Sequence, residues 1–509
     1  MPKDNFYITT PIYYPSGQPH MGHAYSSIIA DVFARFKRND NCNVFFLTGT
    51  DEHGLKIQKA AEKSGLSPLE YCDKISKVFK DLTKKLDLSN DDFIRTTEKR
   101  HYAAVKEIWN RLVKSGDIYL SKYEGWYSVS DEAYYNSDEV IEKNGKKFST
   151  FSGSSVEWVE EESFFFKLSS WEKKLLEFYD NNKKFILPNS RRNEVINFVK
   201  NGLKDLSVSR TSFTWGIKVP NNKKHIIYVW LDALTNYLSA VNFPDTNHKT
   251  YKEFWPASIH VIGKDILRFH AIYWPAFLLA ANIKPPKRVF GHGWILSGDE
   301  KMSKSKGNIL NPLEIINTYG IDPLRYYLMK EVSHGTDGNI SLDSLEKCIN
   351  SDLANNYGNL CQRVFSFIKS NCNNEVHLKS ALSDSDNNLI KRTEELTLNL
   401  RNEMENQNLN NYIKSVIEIS FLTNKYINDE EPWKLKEINK EKMNNILHIS
   451  LQQIAKISVL LNPIIPKSSK KVLEALNIKD INLSFLDGKQ VIPNSIKINN
   501  LEMLFKKIY

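Results

Sequence analysis

Only five cysteines occur in 509 residues: Cys42, Cys72, Cys348, Cys361 and Cys372. They are scattered, odd in number and never spaced Cys-x-x-Cys, which excludes a disulfide framework or a zinc ribbon and fits a reducing compartment. No uninterrupted apolar stretch reaches membrane-spanning length, and the first apolar run starts too early to leave room for a signal or transit peptide. The expectation is a soluble, cytoplasmic protein with no membrane segment. Nothing recurs at a fixed period, so a solenoid is excluded. Acidic residues are outnumbered, 60 against 69 Lys plus Arg, for a formal charge of +9. That balance favours a polyanionic partner without identifying one. At this length, with 41% hydrophobic residues, the chain can form about three domains with real cores.

The pattern that organises the chain lies near its start. Phe6 to Thr10 is aromatic and β-branched and predicts a buried strand ending at the Pro11 to Pro19 turn cluster. From Ala24 to Phe36 apolar residues recur at helical spacing, so His20-Met21-Gly22-His23 marks the first turn of a helix. Val44 to Leu47 then closes a β-α-β unit of the kind found in parallel sheets, whose ligands bind at the carboxyl edge. A helix N-terminus attracts phosphate, and His20 and His23, three residues apart, share one face beside it. Gly22 lets a flat ring lie against bare backbone. By themselves the two histidines fit equally a metal pair or a surface pair.

A second motif lies far downstream. Lys301-Met302-Ser303-Lys304-Ser305-Lys306-Gly307-Asn308 combines three lysines with small hydroxyl residues and a glycine, a cationic loop suited to charge developing on a triphosphate. With both motifs in this order, the chain resembles the class I aminoacyl-tRNA synthetases, whose signatures are of the His-x-Gly-His and Lys-Met-Ser-Lys-Ser types. The resemblance covers nearly the whole chain. It implies an α/β fold: a Rossmann-like parallel-sheet catalytic domain with a small β-rich connective insertion, followed by an α-helical bundle that binds the anticodon. The expected divisions are 1–114 and 225–320 for the catalytic halves, 115–224 for the insertion, 321–353 for a linker and 354–509 for the bundle.

Further residues take roles from the resemblance. Thr48 to Gly54 holds consecutive carboxylates, which are expensive to bury unpaired and so should face a cleft, a cation or an amine. By resemblance, Asp51 holds the substrate's α-ammonium group. Ile12, Tyr14, Trp230, Ala233, Tyr237, His270 and Trp274 match the amino-acid pocket of the methionyl members of the class. Aromatic rings suit a polarizable thioether on a long unbranched chain. Gly22, Gly263, Asp265, His292, Ser303 and Lys304 are expected around ATP with its Mg2+, and His20, His23, Lys301 and Lys304 at the reacting phosphates. The connective insertion of this family often carries zinc-binding cysteine pairs. None occurs here, so a metal-free knuckle held by Trp126, Tyr127, Tyr134, Tyr135 and Trp158 is expected, with no structural zinc. Stacking of these aromatics on bases is the alternative.

In the last third, apolar positions from Ile446 to Leu460 form one helical face, stopped at Asn462-Pro463. Asn355, Asn359 and Arg363, at i, i+4 and i+8, share a face that fits equally a solvated polar stripe or contact with base edges or phosphate, and Trp433 fits a packed ring or a stack on an unpaired base; the resemblance implies the anticodon-binding reading for all four. The resemblance implies methionine, ATP and tRNA(Met), including initiator tRNA, as partners of a monomeric ligase. A small-molecule nucleotidyltransferase or a non-catalytic tRNA-binding relative are the other readings.

Overall fold

The computed structural model describes residues 4–15, 17–129, 131, 133–135, 137–297, 300–301, 310–332 and 335–509. It forms two compact units, one of Asn5–Pro19 and Phe45–His292, the other of His20–Val44 and Gly293–Tyr509 with Asp4.

A six-stranded sheet anchors the first unit, in the order Asp92–Arg95, Asn43–Thr50, Asn5–Tyr13, Ile259–Gly263, Val289–His292 and Ile186–Leu187. Leu47 lies opposite Asp92, Ile8 opposite Ile259, Val261 opposite Phe290 and Phe290 opposite Leu187, all in parallel register. Such strands are covered on both faces, and Ile8, Leu47, Val261 and Ile262 are accordingly fully buried. Because the strands run the same way, their carboxyl ends share one edge; Tyr14 and Asp51 follow directly from two of them, and Asp265 stands two residues beyond a third. Beneath them Trp109, Leu231, Tyr237, Trp274 and Phe277 belong to one continuous core.

The insertion is β-rich, as the resemblance implies. Ile118–Ser128 pairs antiparallel with Glu157–Phe166, and Ala133–Tyr135 adds to the same sheet. Trp126 meets Trp158 edge to face at 5.2 Å, while Tyr127 and Tyr135 are buried. The side chain of Tyr134 lies outside the described residues. Aromatic packing is joined by a polar knot: Asp131 accepts from the hydroxyls of Tyr135 (2.7 Å), Ser154 (2.7 Å) and Ser152.

The second unit is mainly helical, including Met21–Asn39, Ile321–Glu331, Asn359–Asn371, Leu409–Glu430 and Lys440–Leu461. The last of these stops at Asn462-Pro463, where proline cannot continue the ladder. A buried ion pair joins distant parts of this unit. Arg325 Nη2 donates to Asp31 (2.6 Å) and to the Pro463 carbonyl (2.8 Å), and its Nε donates to the Ile464 carbonyl (2.8 Å).

Read from the sequence, Val289 to Ile295 is one catalytic strand, and His270 and Asn355 each lie on an ordinary helix; the structure differs on both counts. Val289 to Ile295 does not form one strand: pairing ends at His292, and Ile295–Ser297 joins a small separate sheet with Gly338–Asn339 and Glu300–Lys301. Gly293 lies at the break, where a Cβ would run into the Thr336 carbonyl. Phe269–Tyr273 and Ile349–Gly358 are π-helical rather than ordinary helix, a geometry often found at functional segments. Among the described residues no helix is long and apolar enough to cross a membrane.

Candidate functional site

The Met21–Asn39 helix opens with an unusual cap. His20 Nδ1 accepts the Gly22 N–H at 3.1 Å, and His23 Nδ1 accepts the His20 N–H at 3.1 Å. The two imidazoles therefore take the places that Ser and Glu occupy in an ordinary capping box. Their rings stack at 3.7 Å. A ring whose Nδ1 accepts carries its proton on Nε2 when neutral, which makes Nε2–H a donor suited to a phosphate oxygen. Burial, reinforced by the charge His20 would carry, holds His23 well below the usual imidazole range. Gly22 has a specific reason here: a Cβ would meet His20 Cε1 at 3.0 Å, so the flat ring against its backbone is His20's own.

At the carboxyl edge of the sheet, Gly263 stands opposite His292 in register. A Cβ on Gly263 would meet Asp265 Oδ1 at 2.5 Å and His292 Cε1 at 3.7 Å. The structure thus brings these three predicted ATP residues together. Lys301 pairs with Leu296 in the small sheet at the root of the lysine loop. Ser303 and Lys304 lie outside the described residues.

The predicted amino-acid pocket converges. Tyr237 and His270 bond through OH and Nε2 at 2.7 Å, and Trp274 lies 6.2 Å from the Tyr237 ring. His270 Nδ1 donates to the Ile266 carbonyl at 3.0 Å, so the neutral ring accepts the Tyr237 hydroxyl proton on Nε2. Burial pushes His270 down to about 4, against the opposing pull of the Ile266 carbonyl and Asp265. The pair satisfies its own polar atoms and offers apolar ring surface. Ala233 is buried; Ile12, Tyr14 and Trp230 pack against the same core. Asp51 is buried at the end of its strand, and Tyr14 donates to the His53 carbonyl at 2.9 Å. Of the adjacent carboxylates, Glu52 takes the cation: Arg95 holds it through Nε (2.7 Å) and Nη2 (3.0 Å).

Several participants escaped the sequence reading. Phe269 stacks on Trp230 at 3.6 Å. His260 stacks on Tyr237 at 4.0 Å and bonds Thr9 Oγ1 at 2.8 Å. Its one available signal was a polar residue between Ile259 and Val261 in a buried strand.

In the helical unit Asn355 and Asn359 are exposed and Arg363 half-buried. The Arg363 guanidinium sits 5.9 Å over the Trp433 ring and donates through Nη2 to Asn428 Oδ1 at 2.8 Å. Asn428 carried no sequence signal.

A family model described as tRNA synthetases class I (M) matches residues 6–146 and 142–365, and one described as the anticodon binding domain of methionyl tRNA ligase matches 377–509. The chain belongs to the methionyl-tRNA synthetase family. It is 48% identical over 474 residues to a methionine–tRNA ligase of Rhizobium meliloti, covering 93% of this chain and 92% of the relative. A Rickettsia felis methionine–tRNA ligase is 48% identical over 491 residues, covering 94% and 93%. A structure of Mycobacterium tuberculosis methionyl-tRNA synthetase in complex with methionyl-adenylate superposes with a TM-score of 0.96 at 40% identity, covering 99% of each chain. Family members share the fold class predicted from the sequence, a parallel-sheet catalytic domain with a helical anticodon domain. Among the described residues no group of three or more His, Cys, Asp or Glu could hold a metal ion.

Proposed function

We propose that the Tyr237–His270–Trp274 slot selects methionine within a methionine–tRNA ligase reaction. As a family member, the chain activates methionine with ATP to methionyl-adenylate and pyrophosphate, then transfers methionine to the 3'-terminal ribose of tRNA. The two domain models and the near-full-length relatives support this over a nucleotidyltransferase or a non-catalytic tRNA-binding protein.

The observation that carries the reading is the buried Tyr237–His270 pair, whose polar atoms are satisfied within the protein and which with Trp274 offers aromatic surface for a thioether. Asp51 holds the α-ammonium group. The methionine carboxylate attacks the α-phosphorus in line, and catalysis is mainly positioning and charge stabilisation. His20 and His23 donate to phosphate from the capped helix start, while Gly263, Asp265 and His292 line the nucleotide. Lys301, Ser303 and Lys304 follow the charge that leaves with pyrophosphate. Magnesium travels with the triphosphate and neutralises part of its charge. Asn355, Asn359, Arg363 and Trp433 read the anticodon of tRNA(Met), initiator tRNA included. The protein acts as a monomer in the cytoplasm.

The test is ATP/pyrophosphate exchange without tRNA across a panel of amino acids. Exchange with methionine alone is expected; exchange driven by another amino acid overturns the pocket assignment.

A further inference from the structure

We infer that Asp232, clamped between His53 and His101, is a positioning residue that fixes the distance between the ammonium-holding loop and the side-chain slot. This rests on the methionine reading above.

Asp232 is completely buried, one residue from Ala233 and two from Trp230, on the Val229–Leu234 helix that forms one wall of the slot. Its two oxygens face two imidazoles: Oδ2 lies 2.6 Å from His53 Nδ1, and Oδ1 lies 2.7 Å from His101 Nε2. An ionised carboxylate only accepts, so both facing nitrogens carry protons. Burial alone would favour protonating Asp232, but the histidines outweigh it and hold the group at about 2. Each imidazole is braced from behind, His53 by the Tyr102 hydroxyl at 3.2 Å and His101 by Ser239 Oγ at 2.9 Å.

His53 belongs to the opposite wall. It stands two residues beyond Asp51, and its carbonyl accepts the Tyr14 hydroxyl. The loop is pinned again next door, where Trp215 Nε1 donates to the Glu52 carbonyl at 2.6 Å and Gly54 N–H donates to the Trp215 carbonyl at 3.2 Å. The Asp232–His53 bond is therefore a short polar strut between the loop that grips the amino group and the helix that lines the thioether slot. Methionine is held at both ends, so the span between the walls must match its length. A strut with two defined proton positions fixes that span more tightly than apolar contact, which has no directional preference. A buried ion pair serving stability alone is replaceable by well-packed apolar residues. This one lies at the joint between two binding walls.

Two variants separate the strut from mere packing. His53→Asn keeps an amide nitrogen where Nδ1 faces Asp232, whereas His53→Gln places its amide where Nε2 faces Tyr102. In exchange assays on the full chain, His53→Gln should raise the KM for methionine about tenfold or more, with kcat and the KM for ATP near normal. His53→Asn should stay within about threefold of wild type on all three. Equal behaviour of the two variants, or a matching rise in the KM for ATP, overturns the inference. If His53→Gln does not fold, Ser239→Ala replaces it; a methionine KM raised about threefold supports the strut, and an unchanged one overturns it. Silence of the wild type with methionine would instead remove the ligase reading.

Discussion

Tyr237, His270 and Trp274 are each at most 2% exposed, whereas Trp433 is 43% exposed and Asn355 and Asn359 lie open. On the assignments proposed above, the difference follows from the two ligands. A thioether side chain is distinguished by volume and polarizability, so a slot for it is dry, and here the Tyr237 hydroxyl and the His270 ring are paired with each other. Anticodon bases are distinguished by edges and faces, so the residues proposed to read them must reach outward, as the exposed Asn355, Asn359 and Trp433 ring do, the ring with the Arg363 guanidinium over it. Both regions contain a π-helical stretch: Phe269–Tyr273 carries His270 into the slot, and Ile349–Gly358 carries Asn355 just ahead of Asn359 and Arg363.

The contrast can be broken in stages. The largest effect is expected in the helical unit, where Asp31→Ala would leave the Arg325 guanidinium buried without its carboxylate. That should cost about 3–5 kcal/mol, read as a lowered urea midpoint; a change below about 1 kcal/mol would show that the pair is solvated. Next, Lys304→Ala should raise the adenylation barrier by about 3 kcal/mol, roughly a hundredfold in exchange rate, with methionine affinity near normal. Undiminished exchange would remove the loop from the charge-stabilising role.

The slot itself should respond to acid. His270 is neutral when folded, with its ring held at about 4, whereas an unfolded histidine takes its proton near 6.5. The unfolded state therefore binds the extra proton first. Stability is fully present above about pH 6.5 and lost as pH falls towards 4, by on the order of 3 kcal/mol. Urea unfolding at pH 7 and pH 4.5 should show a larger loss for wild type than for His270→Gln; parallel losses would mean that His270 is not held neutral by its site.

Much of this was legible in the chain. Aromatic and β-branched runs gave the first two strands, and apolar periodicity gave the Met21–Asn39 helix and the stop at Asn462-Pro463. The two lettered motifs led to the family. What stayed hidden depends on tertiary neighbours. Asp232 appeared only as a letter between Trp230 and Ala233, because nothing local shows that His53 and His101 meet it from far along the chain. The π-helical stretches were invisible because apolar spacing at one or two turns cannot separate 3.6 from 4.4 residues per turn. Asn428 had no signal, since its meaning lies wholly in the Arg363 guanidinium it holds. Asp131 was similarly silent: its role comes from hydroxyls brought to it by the insertion's turns.

The smallest effect is the most telling. Trp433→Ala removes an exposed ring and should weaken tRNA binding by about 1–3 kcal/mol. On a single preparation, methionine-dependent ATP/pyrophosphate exchange and methionylation of tRNA(Met) at limiting tRNA would be measured beside wild type. Independent recognition of methionine and of the anticodon predicts unchanged exchange with charging reduced about fivefold to a hundredfold. Equal loss of both activities would contradict that independence and make Trp433 a residue of the fold's core.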